Sequence, residues 1–153
     1  VIRLKKDKVL ECIVCLTGQH KEMLNQIIDV FDIKADYNLA IMKENQSLES
    51  ITMSIVNGIV EILEKEKPDL VFVPGDTTTA FAASLASFYK SIKVGHVEAG
   101  LRTHDLSAPF PEEFNRQAVD LIASVYFAPT EYAKINLLNE GKDIEKILLQ
   151  VIQ

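Results

Sequence analysis

Three acidic residues stand where the backbone pattern changes, and a carboxylate in such a place can do chemistry. Asp76 follows the apolar run "DLVFVPG" (69–75). Glu98 lies in "KVGHVEAG" (93–100), and Glu112 opens "EEFNRQAVDLIA" (112–123). An acid that ends a run of Val-Gly-His-Val needs solvent, a cation or a ligand beside it, because an unpaired buried charge is costly. Arg102 is the expected partner of Glu98. Asp76, Glu112 and Arg116 also have ordinary explanations, whereas Glu98 is harder to dismiss. Gly-Asp-Thr-Thr before a helix suits Asp76 as an N-cap. Glu112 and Glu113 open a helix, where the macrodipole favours acids. Arg116 lies four residues after Glu112, the spacing of an intrahelical pair.

The elements that must position these residues alternate. "ECIVCLT" (11–17) is strand-like, and "HKEMLNQIIDVF" (20–31) has the apolar spacing of a helix. "DYNLAI" (36–41) reads as a short strand. A long helix is predicted over 47–67, capped by Ser47 or Ser50 and stopped by Pro68. Strand 69–75 is followed by a helix over 76–90, opened by Asp76 or a threonine. After strand 93–98 comes an irregular loop, 101–111, holding two prolines. Helix 112–123, strand 124–130 and helix 131–141 complete the order, the last ended by Gly141. Strands apolar on both faces, separated by helices, imply a parallel sheet covered on both sides. Right-handed crossovers then give a doubly wound α/β domain. Ligands of such sheets gather beyond the carboxyl ends of the strands. Asp76, Glu98 and Glu112 converge on that rim, which suits a polar substrate.

The totals exclude several classes. The 153 residues are 48% hydrophobic, enough for one domain with a core, and the net charge is -6. Without a lysine- and arginine-rich block, nucleic acid is not an expected partner. No apolar run is long enough to span a membrane, and lysines interrupt the first apolar stretch, so neither a membrane anchor nor a signal peptide is expected. Cys12 and Cys15 form a CxxC, but within a strand they point to opposite faces. They read as core cysteines of a cytoplasmic protein, not a redox or zinc pair. There is no GxGxxG and no GxxxxGK, hence no dinucleotide or P-loop fingerprint. His20, His96 and His104 lack metal-ligand spacing.

Taken together, "CLTGQHKEML", "PDLVFVPGDTTTAFAASLASFY", "KVGHVEAGLRT", "PFPEEFNR" and "FAPTEYAKINLLNEG" resemble the non-hydrolysing UDP-N-acetylglucosamine 2-epimerases. The match covers nearly the whole chain in the family's order. The related hydrolysing enzymes differ at "HVEAGLRT". The resemblance implies the Rossmann-like N-terminal half of a two-domain fold like that of the GT-B glycosyltransferases. It implies interconversion of UDP-GlcNAc and UDP-ManNAc at C2 by elimination and re-addition of UDP, with no cofactor and no metal. Asp76, Glu98 and Glu112 match the family's catalytic acids, and Arg102 and Arg116 are expected to bind substrate. Which acid is the base stays open. Gln19 and His20 match part of a second UDP-GlcNAc site that regulates bacterial members, although Asn45 stands where some regulated members carry arginine. A homodimer is implied as well.

The chain also departs from the family. It begins after the family's first strand and "GTRPE" loop, and residues 148–153 replace a "VTGN" strand, as a shift of reading frame near residue 148 would. The missing strand would lie mid-sheet, between strands 11–17 and 69–75. The expectation is a partial N-terminal domain over 1–153, without the second domain and inactive by itself. A non-catalytic sugar-nucleotide binding module and one half of a split enzyme are the alternatives.

Overall fold

The computed structural model describes residues 1–18, 34–41 and 45–150. The predicted helix over 20–31 lies outside these residues. The chain forms two compact units, Val1–Ile55 and Val56–Gln153.

In the first unit a short helix, α1 (Ile2–Lys6), precedes a two-residue strand, β1 (Cys15–Leu16), which pairs in parallel with β2 (Tyr37–Asn38). Both strands are shorter than their apolar runs predict. Asp36 secures the pair: its carboxylate accepts the Val14 amide at 2.8 Å and the Lys5 ammonium at 3.0 Å. Cys12 and Cys15 are free and half-buried. Burial pushes the Cys15 thiol up to about 11, so it stays protonated and unreactive at neutral pH.

Helix α2 (Leu48–Glu66) runs across the division between the units. The Ser47 hydroxyl accepts the Ser50 amide at its start, which decides between the two candidate caps. Its buried stripe is Ile51, Ile55, Ile59 and Leu63, one residue per turn.

The second unit holds a four-stranded sheet in the order β3 (Leu70–Pro74), β4 (Lys93–Val97), β5 (Val125–Ala128), β6 (Ile147–Leu149), every pair parallel. Helices α3 (Thr78–Tyr89), α4 (Glu112–Ile122) and α5 (Glu131–Asn139) alternate with the strands. This is the parallel α/β architecture the alternating pattern predicts. The tail contributes the strand β6, which the sequence reading does not assign. A short 3-10 turn (Ile144–Lys146) leads into it. Side chains of Thr77 and Thr130 cap α3 and α5, accepting the Ala80 and Ala133 amides at 3.2 and 3.1 Å. Ala99, Tyr126, Ala128, Ala133, Leu137 and Ile147 pack into one core cluster. A side chain such as Leu137, fully buried there, contributes about 1.5–3 kcal/mol. Among the described residues, no helix is long and apolar enough to cross a membrane.

Candidate active site at the strand ends

Strands β3 and β4 lie side by side and run the same way, so their carboxyl ends finish together. The turn after β3 is a tight one. Gly75 sits at φ 65°, which favours glycine, and its amide donates to the Val97 carbonyl at 2.8 Å. Glu98 follows β4 directly at φ 72°. That left-handed conformation is uncommon for a glutamate, and such strain of roughly 1–3 kcal/mol gathers at functional sites. The Glu98 amide donates to Phe127 at 3.0 Å, while its side chain is exposed. One Glu98 carboxylate oxygen lies 3.4 Å from where a Cβ on Gly75 would stand. The structure thus brings Glu98 against the turn that carries Asp76.

Asp76 is not the helix cap, since Thr77 takes that role. Its carboxylate instead forms an ion pair with Arg116 of α4, and its backbone carbonyl accepts from Asn115 Nδ2 at 2.9 Å. Arg116 therefore reaches across to Asp76, not back to Glu112 as the i+4 spacing suggests. Its other partner is Glu113, one turn earlier, at 3.2 Å. Glu113 is fully buried and accepts the His104 amide at 3.2 Å and Gln117 Nε2 at 2.8 Å. Burial alone would raise its pKa. The hydrogen bonds from Gln117, Thr103 and His104 and the Arg116 charge outweigh it and hold the carboxyl below its ordinary range. The Arg116–Glu113 pair is close without being aligned. Among the described residues, Glu113 Oε2 and Arg116 Nε have no hydrogen-bond partner.

Glu112 occupies the first turn of the same helix and is half-buried. No hydrogen bond or ion pair engages the carboxylates of Glu98 and Glu112 among the described residues, so both are available to a ligand. Gln19 and His20 lie outside the described residues.

Arg102 differs from expectation. Its side chain is wholly buried and donates to Glu140 at 2.6 and 2.7 Å and to Asp120 at 2.7 Å. Of these carboxylates Asp120 is buried and Glu140 is part exposed, and the expected Arg102–Glu98 pair is absent among the described residues. Burial opposes its charge, but the two carboxylates outweigh that and raise its pKa further. Asp120 is the residue sequence reasoning misses. It is fully buried and accepts His96 Nδ1 at 2.6 Å, the Gly100 amide at 3.1 Å and Arg102. Its burial would raise its pKa, yet the bonds and charges of His96 and Arg102 hold it below the usual range. Tyr126 donates to the Asp120 and Ala123 carbonyls, and burial with the nearby Asp120 and Glu140 charges pushes its hydroxyl up to about 12.

Gly100 shows how tightly this rim is built. Its φ is 86°, and an added Cβ would stand 2.3 Å from the Ala133 carbonyl oxygen. Gly100→Ala is expected to cost about 3 kcal/mol, combining left-handed strain with an overlap that the backbone of α5 cannot relieve. Urea unfolding of the variant checks this, and a loss under about 1 kcal/mol would show that α5 moves aside.

Comparison with known proteins gives the family and the fold. Residues 2–150 match the family model described as UDP-N-acetylglucosamine 2-epimerase. A UDP-N-acetylglucosamine 2-epimerase of Bacillus subtilis is 51% identical over 149 residues, which are 97% of this chain and 39% of that protein. Among solved structures, the UDP-GlcNAc 2-epimerase of Neisseria meningitidis bound to UDP-GlcNAc superposes with a TM-score of 0.94 at 51% identity. That match covers 97% of this chain and 40% of the other. The Methanocaldococcus jannaschii enzyme in complex with UDP-GlcNAc and UDP gives a TM-score of 0.88 at 38% identity, over 97% of this chain and 41% of the other. The chain spans about two fifths of the length of these relatives.

Proposed function

The chain belongs to the UDP-N-acetylglucosamine 2-epimerase family, and on that premise we propose that its rim supplies the acid–base groups for inverting C2 of UDP-GlcNAc. One observation carries the reading. The Glu98 carboxylate, from one strand end, lies against Gly75, the residue before Asp76 at the neighbouring strand end, and helix α4 holds Asp76 from the side through Arg116.

The chemistry needs such an arrangement. A base removes the C2 proton, the C–H electron pair forms a C1–C2 double bond, and the C1–oxygen pair leaves with UDP. Re-addition reverses this, with a proton delivered to the opposite face of C2. The C2 proton is weakly acidic, so base and acid must be fixed on either side of the ring. Asp76, Glu98 and Glu112 are the carboxylates for these transfers. Arg116 offsets the negative charge of Asp76 on the side where UDP would depart. We assign Arg102 to holding the loop after β4, not to substrate.

The wider expectations stand on family membership. Substrate would be UDP-GlcNAc, with a second, regulatory molecule at Gln19 and His20. A homodimer is supported by the exposed Phe114 and Leu121 on α4. The two free cysteines favour the cytoplasm. These 153 residues would form a partial N-terminal domain. Because they span two fifths of the relatives' length, they are expected to bind UDP-GlcNAc weakly and to turn over none of it. Calorimetric titration with UDP-GlcNAc, alongside an assay for UDP-ManNAc, tests both points. No binding would remove the substrate assignment, and turnover would show that the second domain is dispensable.

A further inference from the structure

The reaction leaves His96 and Asp120 without a role, yet both are fully buried under the rim. His96 lies in β4, and each of its ring nitrogens faces an oxygen. Nδ1 is 2.6 Å from Asp120 Oδ1, and Nε2 is 2.8 Å from the Gly75 carbonyl. A backbone carbonyl only accepts. Asp120 also receives Arg102 and the Gly100 amide on its other oxygen, an environment suited to the ionised carboxylate, which likewise only accepts. A ring with one proton would aim a lone pair at one of these oxygens.

We propose that Asp120 and the doubly protonated His96 form a buried positioning pair that locks the turn carrying Asp76 to the turn after Glu98. His96 grips Gly75, the residue before Asp76. Asp120 grips Gly100, two residues after Glu98, and Arg102 beyond it. Glu140 at the end of α5 anchors Arg102 in turn. Helix α4 therefore holds the β3 turn in three ways, through Arg116 and Asn115 on Asp76 and through Asp120 and His96 on Gly75. The spacing of the two acids is set beneath them, without contact between the pair and substrate. This role rests on Asp76 and Glu98 being the reacting acids, but the pair itself can be tested without substrate.

The test is nuclear magnetic resonance on the isotope-labelled 153-residue protein. A long-range proton–nitrogen spectrum is expected to show protons on both ring nitrogens of His96. A bare ring nitrogen would overturn the proposal, and this outcome needs no variant. In Asp120→Asn, the ring is expected to revert to a single proton. The Gly100 amide should exchange roughly tenfold faster or more, and the backbone resonances of Asp76 and Glu98 should shift, while amides in the middle of α3 keep their rates. Unmoved Asp76 and Glu98 resonances, or loosening spread evenly over the unit, would reduce the pair to a general core contact and overturn the positioning role. Should that variant fail to fold, His96→Gln reads the Gly75 side alone. Movement of Asp76 with Gly100 still protected is expected, and an unchanged Asp76 would count against the lock. A protein that shows the ring signature but never binds UDP-GlcNAc would sink the epimerase reading and leave the buried pair intact.

Discussion

Replacing Asp120 by alanine is expected to destabilise the protein by about 3–5 kcal/mol, seen as a large drop in its urea midpoint. The cost comes less from the lost attraction than from what remains. Without the carboxylate, His96, the Gly100 amide and one arm of Arg102 face a cavity with nothing to accept their protons. The pH dependence has a definite sign. Asp120 and Glu113 are held below the ordinary carboxylate range, so their contribution is complete above that range. It is lost as pH falls through their lowered values. The wild-type melting temperature should therefore fall steeply once pH drops below about 4. In Asp120→Asn, which lacks the titrating group, the fall should be shallower. An identical acid profile would show that Asp120 is not ionised in the native state.

The same helix explains what the sequence could and could not reveal. Element order follows from periodicity and turn residues, and so does the placing of Asp76 and Glu98 at strand ends. The orientation of α4 does not. A periodicity argument turns apolar residues inward, which would bury Phe114 and Leu121. The structure exposes them, 46% and 79%, and buries Glu113 and Asp120 instead. Glu113, Arg116 and Asp120 recur at i, i+3 and i+7, so a polar stripe faces the sheet. It can do so because its partners, His96, Arg102 and the turn at Gly75, come from strands and loops distant in sequence. Local pattern holds no sign of those partners. It does hold a weaker clue: a histidine inside a run of Val-Gly-His-Val demands a buried acceptor, and Asp120 is the acid that reaches it. The expected bond from Arg102 to Glu98 is absent among the described residues for the same reason. An arginine four residues after a glutamate suggests a surface pair, whereas its carboxylates lie 18 and 38 residues away. Strand β6 went unassigned because Ile147–Leu149 is too short to declare itself and gains its definition from pairing with β5.

The second large effect is on catalysis, and it can separate the acids the sequence leaves equivalent. Consider a chimera in which this chain replaces the matching segment of the Neisseria meningitidis epimerase. Asp76→Asn, Glu98→Gln and Glu112→Gln each remove a proton acceptor while keeping shape. Loss of a positioned acid or base slows turnover by about 100- to 10,000-fold. The largest losses are expected for Asp76, which follows Gly75, and for Glu98, whose carboxylate lies against that glycine. Their intermediates should differ. A protein without the base for UDP-GlcNAc breaks no C2–H bond, so in deuterated water it incorporates no deuterium and releases no UDP. A protein without the returning acid still eliminates, and UDP accumulates with the unsaturated sugar. Measuring free UDP for each variant from UDP-GlcNAc, and again from UDP-ManNAc, should show the two roles exchanging between the two substrates. That exchange is the outcome expected of two acids set on opposite sides of C2. Losses under tenfold for both Asp76→Asn and Glu98→Gln would remove them from proton transfer and pass that role to Glu112 or to the second domain.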